Sequence, residues 1–171
     1  MASVEGRLIT QARAAALWYE THLADRSTSV ICSDGYSIRI EWKRENFPHL
    51  TGLKYQIGLR NTGAVPQLDF YHMLIHNQQL DLRRLSYTNN QMLAKRKCAV
   101  LMDAINPEHA TTVFETSAGI FALGIGSDRY CLGLVYSTDS CLPMSVMQGS
   151  LEEQRRFIIS NTHMIQSVRT Y

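Results

Sequence analysis

Long apolar runs are missing from this chain, and without one no helix crosses a bilayer. The opening residues, Met1-Ala2-Ser3-Val4-Glu5, lack the basic start and apolar stretch of a secretory leader, so a cytoplasmic protein with no membrane partner is expected. The four cysteines, Cys32, Cys98, Cys131 and Cys141, form no C-x-x-C pair, which argues against a structural zinc site and for buried free thiols. Familiar catalytic signatures are absent as well: no P-loop, no H-E-x-x-H and no G-x-S-x-G. Gly124-Ile125-Gly126 is better explained by a tight turn than by a nucleotide. No internal repeat, low-complexity stretch or linker interrupts the chain.

Charge is sparse, at 19% of residues, against 45% hydrophobic residues, a balance that supports a packed core rather than disorder. At 171 residues one domain over 1–171 is expected. The net charge of +2 is unevenly spread. Residues 39–97 carry ten Lys/Arg against four Asp/Glu, a local +6, whereas residues 98–171 carry four against seven. A basic segment of this kind attracts phosphate, although charged runs also serve simply as solvated surface.

Periodicity divides the chain into a helical first part and a β second part. Leu8, Ala12, Ala15, Tyr19 and Leu23 place an amphipathic helix over 4–24. A hairpin follows, Thr28–Cys32 and Tyr36–Trp42, turned at Ser33-Asp34-Gly35. Residues 45–53 read as irregular, because Pro48 disfavours helix at Phe47 and Gly52 punctuates the end. Pro66 suits the first turn of a helix with Leu68, Tyr71, Leu74 and Ile75 on its apolar face. A further helix spans Asn89–Ile105 and stops at Asn106-Pro107. Strands are expected over Thr111–Thr116, Gly119–Gly126, Tyr130–Tyr136 and Leu142–Met147, joined as an antiparallel meander. A short helix is expected over Leu151–Arg156, and Phe157–Tyr171 fits either strand or loop. The fold class is α+β, with N-terminal helices packed on an antiparallel sheet.

Three sets of residues have chemistry to offer. His49 lies among Phe47, Pro48, Leu50 and Leu53, and an imidazole there titrates near neutrality; it serves as general acid or base, or as a partly buried structural residue. The basic residues Arg83, Arg84, Lys95, Arg96 and Lys97 supply cations. Ser145, after Leu142-Pro143-Met144, is a hydroxyl on the last strand of the meander. Metal-independent RNA cleavage needs a base for the 2′-OH, cations for the phosphorane and an acid for the leaving oxygen, and these residue types supply all three. His72 and His76 have metal-ligand spacing but no third ligand nearby, so no metal or other cofactor is expected.

The segment Asn46-Phe47-Pro48-His49-Leu50-Thr51-Gly52-Leu53 resembles a phage-associated family of the barnase/EndoU/colicin/RelE-like nuclease group, whose members carry a similar F-x-H-L-T-G stretch. Leu68-Asp69-Phe70-Tyr71, Met92–Ile105, Cys131-Leu132-Gly133-Leu134 and Leu142-Pro143-Met144-Ser145 resemble later parts of that family in the same order. The resemblance implies an α+β fold and metal-independent RNA cleavage on the sheet face, in a toxin or phage-conflict setting. It implies His49 as base or acid, Ser145 as a phosphate contact, and Lys97 or Arg96 as the charge-stabilising group. Thr51, Arg83, Arg84, Lys95 and Arg96 then become nucleic-acid contacts. RNA would be the partner, with an antitoxin, immunity or host protein as inhibitor. Met144 departs from the pattern, standing where a basic residue is expected. That departure keeps open an alternative: a catalytically inactive, phage-encoded binding or inhibitor protein on the same fold.

Overall fold

The computed structural model describes residues 3–59, 63–149 and 158–171. Helix α1 spans Val4–His22 and starts where the Ser3 side chain accepts from the Gly6 amide at 3.0 Å. Its buried stripe, from Leu8 to Tyr19, follows the sequence periodicity. The hairpin β1 (Arg26–Cys32) and β2 (Ser37–Trp42) turns on Gly35, which sits at φ +87.

The segment expected to be irregular is ordered. A single 3-10 turn at Arg44–Asn46 leads into α2, Phe47–Thr51, and then β3, Leu53–Tyr55. Pro48 does not prevent this helix, because the amides of a first turn have no intrahelical partner to lose. Phe47 adopts the helical φ −56, ψ −46 despite the following proline. Its ring is fully buried, edge-on to Tyr19 and Tyr71, which offsets the local penalty. Gly52 ends α2 in the left-handed region at φ +72.

Helix α3 (Gln67–Ile75) buries Phe70, Tyr71 and Leu74; Leu68, expected on that face, is 40% exposed. Strand β4 (Leu85–Tyr87) pairs with β3 in a separate two-stranded sheet. Helix α4 spans Gln91–Ile105, with Asn90 Oδ1 accepting from the Leu93 amide. Its buried face is Ala94, Cys98, Leu101 and Ile105, flanked by Val100 and Ala104. The tyrosine hydroxyls and an ion pair tie the helices together. Tyr71 donates to Glu20 at 2.7 Å, and Glu20 also holds Arg44 at 2.7 Å.

The β part is β5 (Thr112–Ala118), β6 (Leu123–Gly126), β7 (Tyr130–Tyr136), β8 (Cys141–Gln148) and β9 (Ile158–Thr170). The fold is α+β with a mostly antiparallel sheet, and that sheet curls until it closes as a barrel in the order β1-β2-β8-β7-β6-β5-β9. One contact, β2 with β8, is parallel. Closure depends on β9, whose 13 residues pair with β1 on one side and β5 on the other. Strand β6 begins at Leu123 rather than Gly119, so Gly119–Ala122 is a loop, with Gly119 at φ +133. The helix expected at Leu151–Arg156 lies outside the described residues. Among the described residues no helix is long and apolar enough to cross a membrane.

Candidate functional site

The three consecutive basic residues of α4 point in different directions, as successive helical positions must. Lys95 and Arg96 are exposed, while Lys97 is half-buried and turned toward β8. Its ammonium donates to Ser145 Oγ at 2.9 Å and to the His49 carbonyl oxygen at 3.4 Å. The Lys97 ammonium thus joins the backbone of α2 to a side chain of β8.

Local features of the sequence make that meeting possible. Gly52 leaves room for the lysine stem: a Cβ there would stand 3.0 Å from Lys97 Cδ. A bulge in β8 orients the serine. Pro143 pairs with Leu134 and Ser145 with Gly133, adjacent β7 residues that face opposite sides of the sheet. Met144 is the extra residue in that register shift, and it turns Ser145 onto the side of Gly133. Phe121 occupies the space that Gly133 leaves, since a Cβ at 133 would come within 2.8 Å of the ring.

Electrostatics favour a neutral imidazole beside a cation. Burial holds the His49 pKa below the ordinary imidazole value, and the charges of Lys97 and Lys54 lower it further. Burial also lowers the pKa of Lys97. Because Ser145 Oγ accepts from Lys97, the serine's own O–H is available to donate. A cavity of about 460 Å³ opens beside the pair; Lys97, Ser145 and Arg96 are among its walls.

The remaining candidates fall elsewhere. Thr51 is corrected from a nucleic-acid contact to a structural residue. It is fully buried, out of reach of a ligand, and its hydroxyl donates to the Pro48 carbonyl at 2.7 Å and accepts from the Leu53 amide at 3.0 Å. Arg83 is clasped by both carboxylate oxygens of Asp81, and Arg84 lies over the Tyr55 ring, donating to the Gln56 carbonyl. Among the described residues neither arginine shares a hydrogen bond with Lys97 or Ser145. The His72 and His76 rings stand 6.0 Å apart, and among the described residues no three ligand-type side chains are placed to hold a metal ion. All four cysteines are buried free thiols, with Cys98 and Cys131 pushed up to about 12 by burial.

Sequence reasoning missed one titratable group. His163, on β9, contacts Asp34 at 2.6 Å and Glu115 at 2.8 Å through its two ring nitrogens, and it stacks on Tyr36 with ring centres 3.9 Å apart. Both partners are acceptors, so the imidazolium form satisfies both contacts, and the Asp34 bond foremost raises its pKa.

Residues 13–165 match the family model PBECR4, phage-Barnase-EndoU-ColicinE5/D-RelE like nuclease4. No curated protein and no solved structure matches the chain.

Proposed function

The chain belongs to this phage-associated nuclease family, and on that premise we propose that it is a metal-independent endoribonuclease that cleaves by 2′-OH transesterification. The observation that carries the proposal is the Lys97–Ser145 contact at 2.9 Å, made by an ammonium that also reaches the backbone carbonyl of His49 and whose charge helps hold the His49 pKa down. In this reading the His49 imidazole takes the 2′-OH proton as O2′ attacks phosphorus. Lys97, with Arg96 nearby, offsets the charge gathering on the non-bridging oxygens, and the Ser145 O–H donates to one of them. The P–O5′ bond breaks and the 5′-oxygen leaves with a proton from the Lys97 ammonium, which burial makes a stronger acid than a solvated lysine. The products are a 2′,3′-cyclic phosphate and a 5′-hydroxyl.

An effector of phage or toxin type acting on cytoplasmic RNA is the setting that fits, and an antitoxin, immunity or host protein covering the cavity would be its inhibitor. The test is cleavage of labelled total RNA and tRNA in EDTA by the wild type, His49→Ala and Lys97→Met. Cleavage by the wild type alone, leaving cyclic phosphate ends, is the expected result. Intact RNA at high concentrations of folded wild type would refute the assignment. Met144 favours that second outcome, because the bulge residue beside Ser145 brings a thioether rather than a cation to the site. The protein would then be a binder or inhibitor on a nuclease fold.

A further inference from the structure

We propose that Lys97 is a modification site, acylated by acyl phosphates whose phosphate end is held at Arg96. The inference shares a phosphate-holding site with the ribonuclease reading and needs none of its cleavage chemistry. Of the four lysines in the chain, Lys97 alone lines the cavity of about 460 Å³. Arg96 lines the same cavity and is exposed, so a phosphate group docked on its guanidinium brings the attached acyl carbon into the space that Lys97 borders. Leu93 and Met147 give that space apolar walls for a short acyl chain.

The contacts of Lys97 suit an uncharged amine as well as an ammonium. Its nitrogen donates to Ser145 Oγ at 2.9 Å and to the His49 carbonyl oxygen at 3.4 Å, and neither partner is a carboxylate that would hold the charge in place. A neutral amine has two hydrogens and keeps both contacts, and the position vacated by the third proton is the lone pair. No contact has to break for the nitrogen to become a nucleophile. Burial works in the same direction, lowering the Lys97 pKa. The nitrogen attacks the acyl carbon, the C–N bond forms and the acyl C–O bond breaks. The electron pair leaves on the phosphate, which also takes one amine proton. The product is a neutral amide with a single N–H, so acylation removes a charge that would stabilise phosphate at this site.

The experiment incubates the folded protein with acetyl phosphate at about pH 8 and follows each lysine by peptide mass spectrometry, with Lys43, Lys54 and Lys95 as references in the same tube. Lys97 is expected to react roughly tenfold faster than each reference, a small part of what holding two reactants together supplies. Excess inorganic phosphate should slow Lys97 toward the references. It should leave Lys97 unaffected when the donor is N-acetoxysuccinimide, which carries no phosphate. Arg96→Gln should lower the ratio of Lys97 to Lys54 with acetyl phosphate. A Lys97 no faster than the references overturns the proposal, as does a faster Lys97 that ignores both inorganic phosphate and Arg96→Gln. The two readings fail separately. RNA left uncut with phosphate-competed acetylation of Lys97 removes the nuclease and keeps the modification site; Lys97-dependent cleavage with Lys97 no faster than the references does the reverse.

Discussion

Gly52→Ala tests whether the end of α2 positions the lysine, and Gly35→Ala is its matched control. Both glycines sit at positive φ, +72 and +87, so each alanine carries the left-handed penalty of about 1–2 kcal/mol. They differ in surroundings. A Cβ at 35 meets nothing within 4 Å, whereas at 52 it meets Lys97 Cδ at 3.0 Å, Ala94 Cα at 3.6 Å and Lys97 Cε at 3.7 Å. The flexible lysine stem gives way more easily than helix backbone, and its displacement takes the ammonium off Ser145 Oγ. Losing that charge-assisted bond adds about 1 kcal/mol to the cost of Gly52→Ala over Gly35→Ala. Urea unfolding of both variants reads this difference. A second readout is independent of any activity. Lys97 is one of the charges that hold the His49 pKa down, so moving it lets that pKa rise toward the ordinary imidazole value. An NMR titration, with the His49 signal assigned by its loss in His49→Gln, should show the rise in Gly52→Ala and not in Gly35→Ala. Equal stability losses together with an unmoved His49 pKa would refute the reasoning.

Other consequences follow from the same electrostatics. Lys97→Met should raise stability by about 1 kcal/mol near neutrality, because it removes a cation that burial disfavours. Since the folded pKa of Lys97 is lowered, wild-type stability should climb as pH rises from that pKa toward the unfolded value of 10.5, and the variant should lack the climb; a urea midpoint that falls in Lys97→Met contradicts the argument. His163 has the opposite sign. Its folded pKa is raised, so the stability its two carboxylate contacts confer is fully present below the unfolded value of 6.5 and is lost as pH rises through the folded one. His163→Gln should therefore cost on the order of 1 kcal/mol at about pH 5.5 and much less at about pH 9, and urea unfolding that shows the same loss at both pH values defeats this account.

What could be read in the chain tracks how local each signal is. The stripe of α1, the Asp34-Gly35 turn and the buried face of α4 are written in residues a few positions apart, and they appear where periodicity places them. α2 was hidden because proline rules speak of helix interiors, while Pro48 stands in a first turn and Phe47 finds its compensation in Tyr19 and Tyr71, far along the chain. β9 was ambiguous for a related reason. Much of it is exposed, so apolar alternation is weak, and its pairing is set by β1 and β5 rather than by its own pattern.

The candidate site divides along the same line. His49, Lys97 and Ser145 were candidates by residue type and drew their roles from a resemblance, while pattern placed them only in an irregular segment, a helix and a strand; it is packing that brings Lys97 onto Ser145 and the His49 carbonyl. The lysine could not be separated from Lys95 and Arg96 until the partner strand was in place, because the choice depends on which helical position faces a hydroxyl. Thr51 is expected as a nucleic-acid contact on the resemblance, but a five-residue helix turns it inward, where two backbone groups use its hydroxyl. His163 gave no local signal at all, since Asp34 is 129 residues away and Glu115 is 48. Charge patterning alone also misleads here. The basic middle of the sequence supplies Lys97 and Arg96 at the cavity, yet Arg44, Arg83 and Arg84 from the same stretch are engaged by Glu20, Asp81 and the Tyr55 ring. Lys97 differs from Arg44 and Arg83 in that its partners are a hydroxyl and a carbonyl, which a phosphate oxygen could replace, rather than carboxylates.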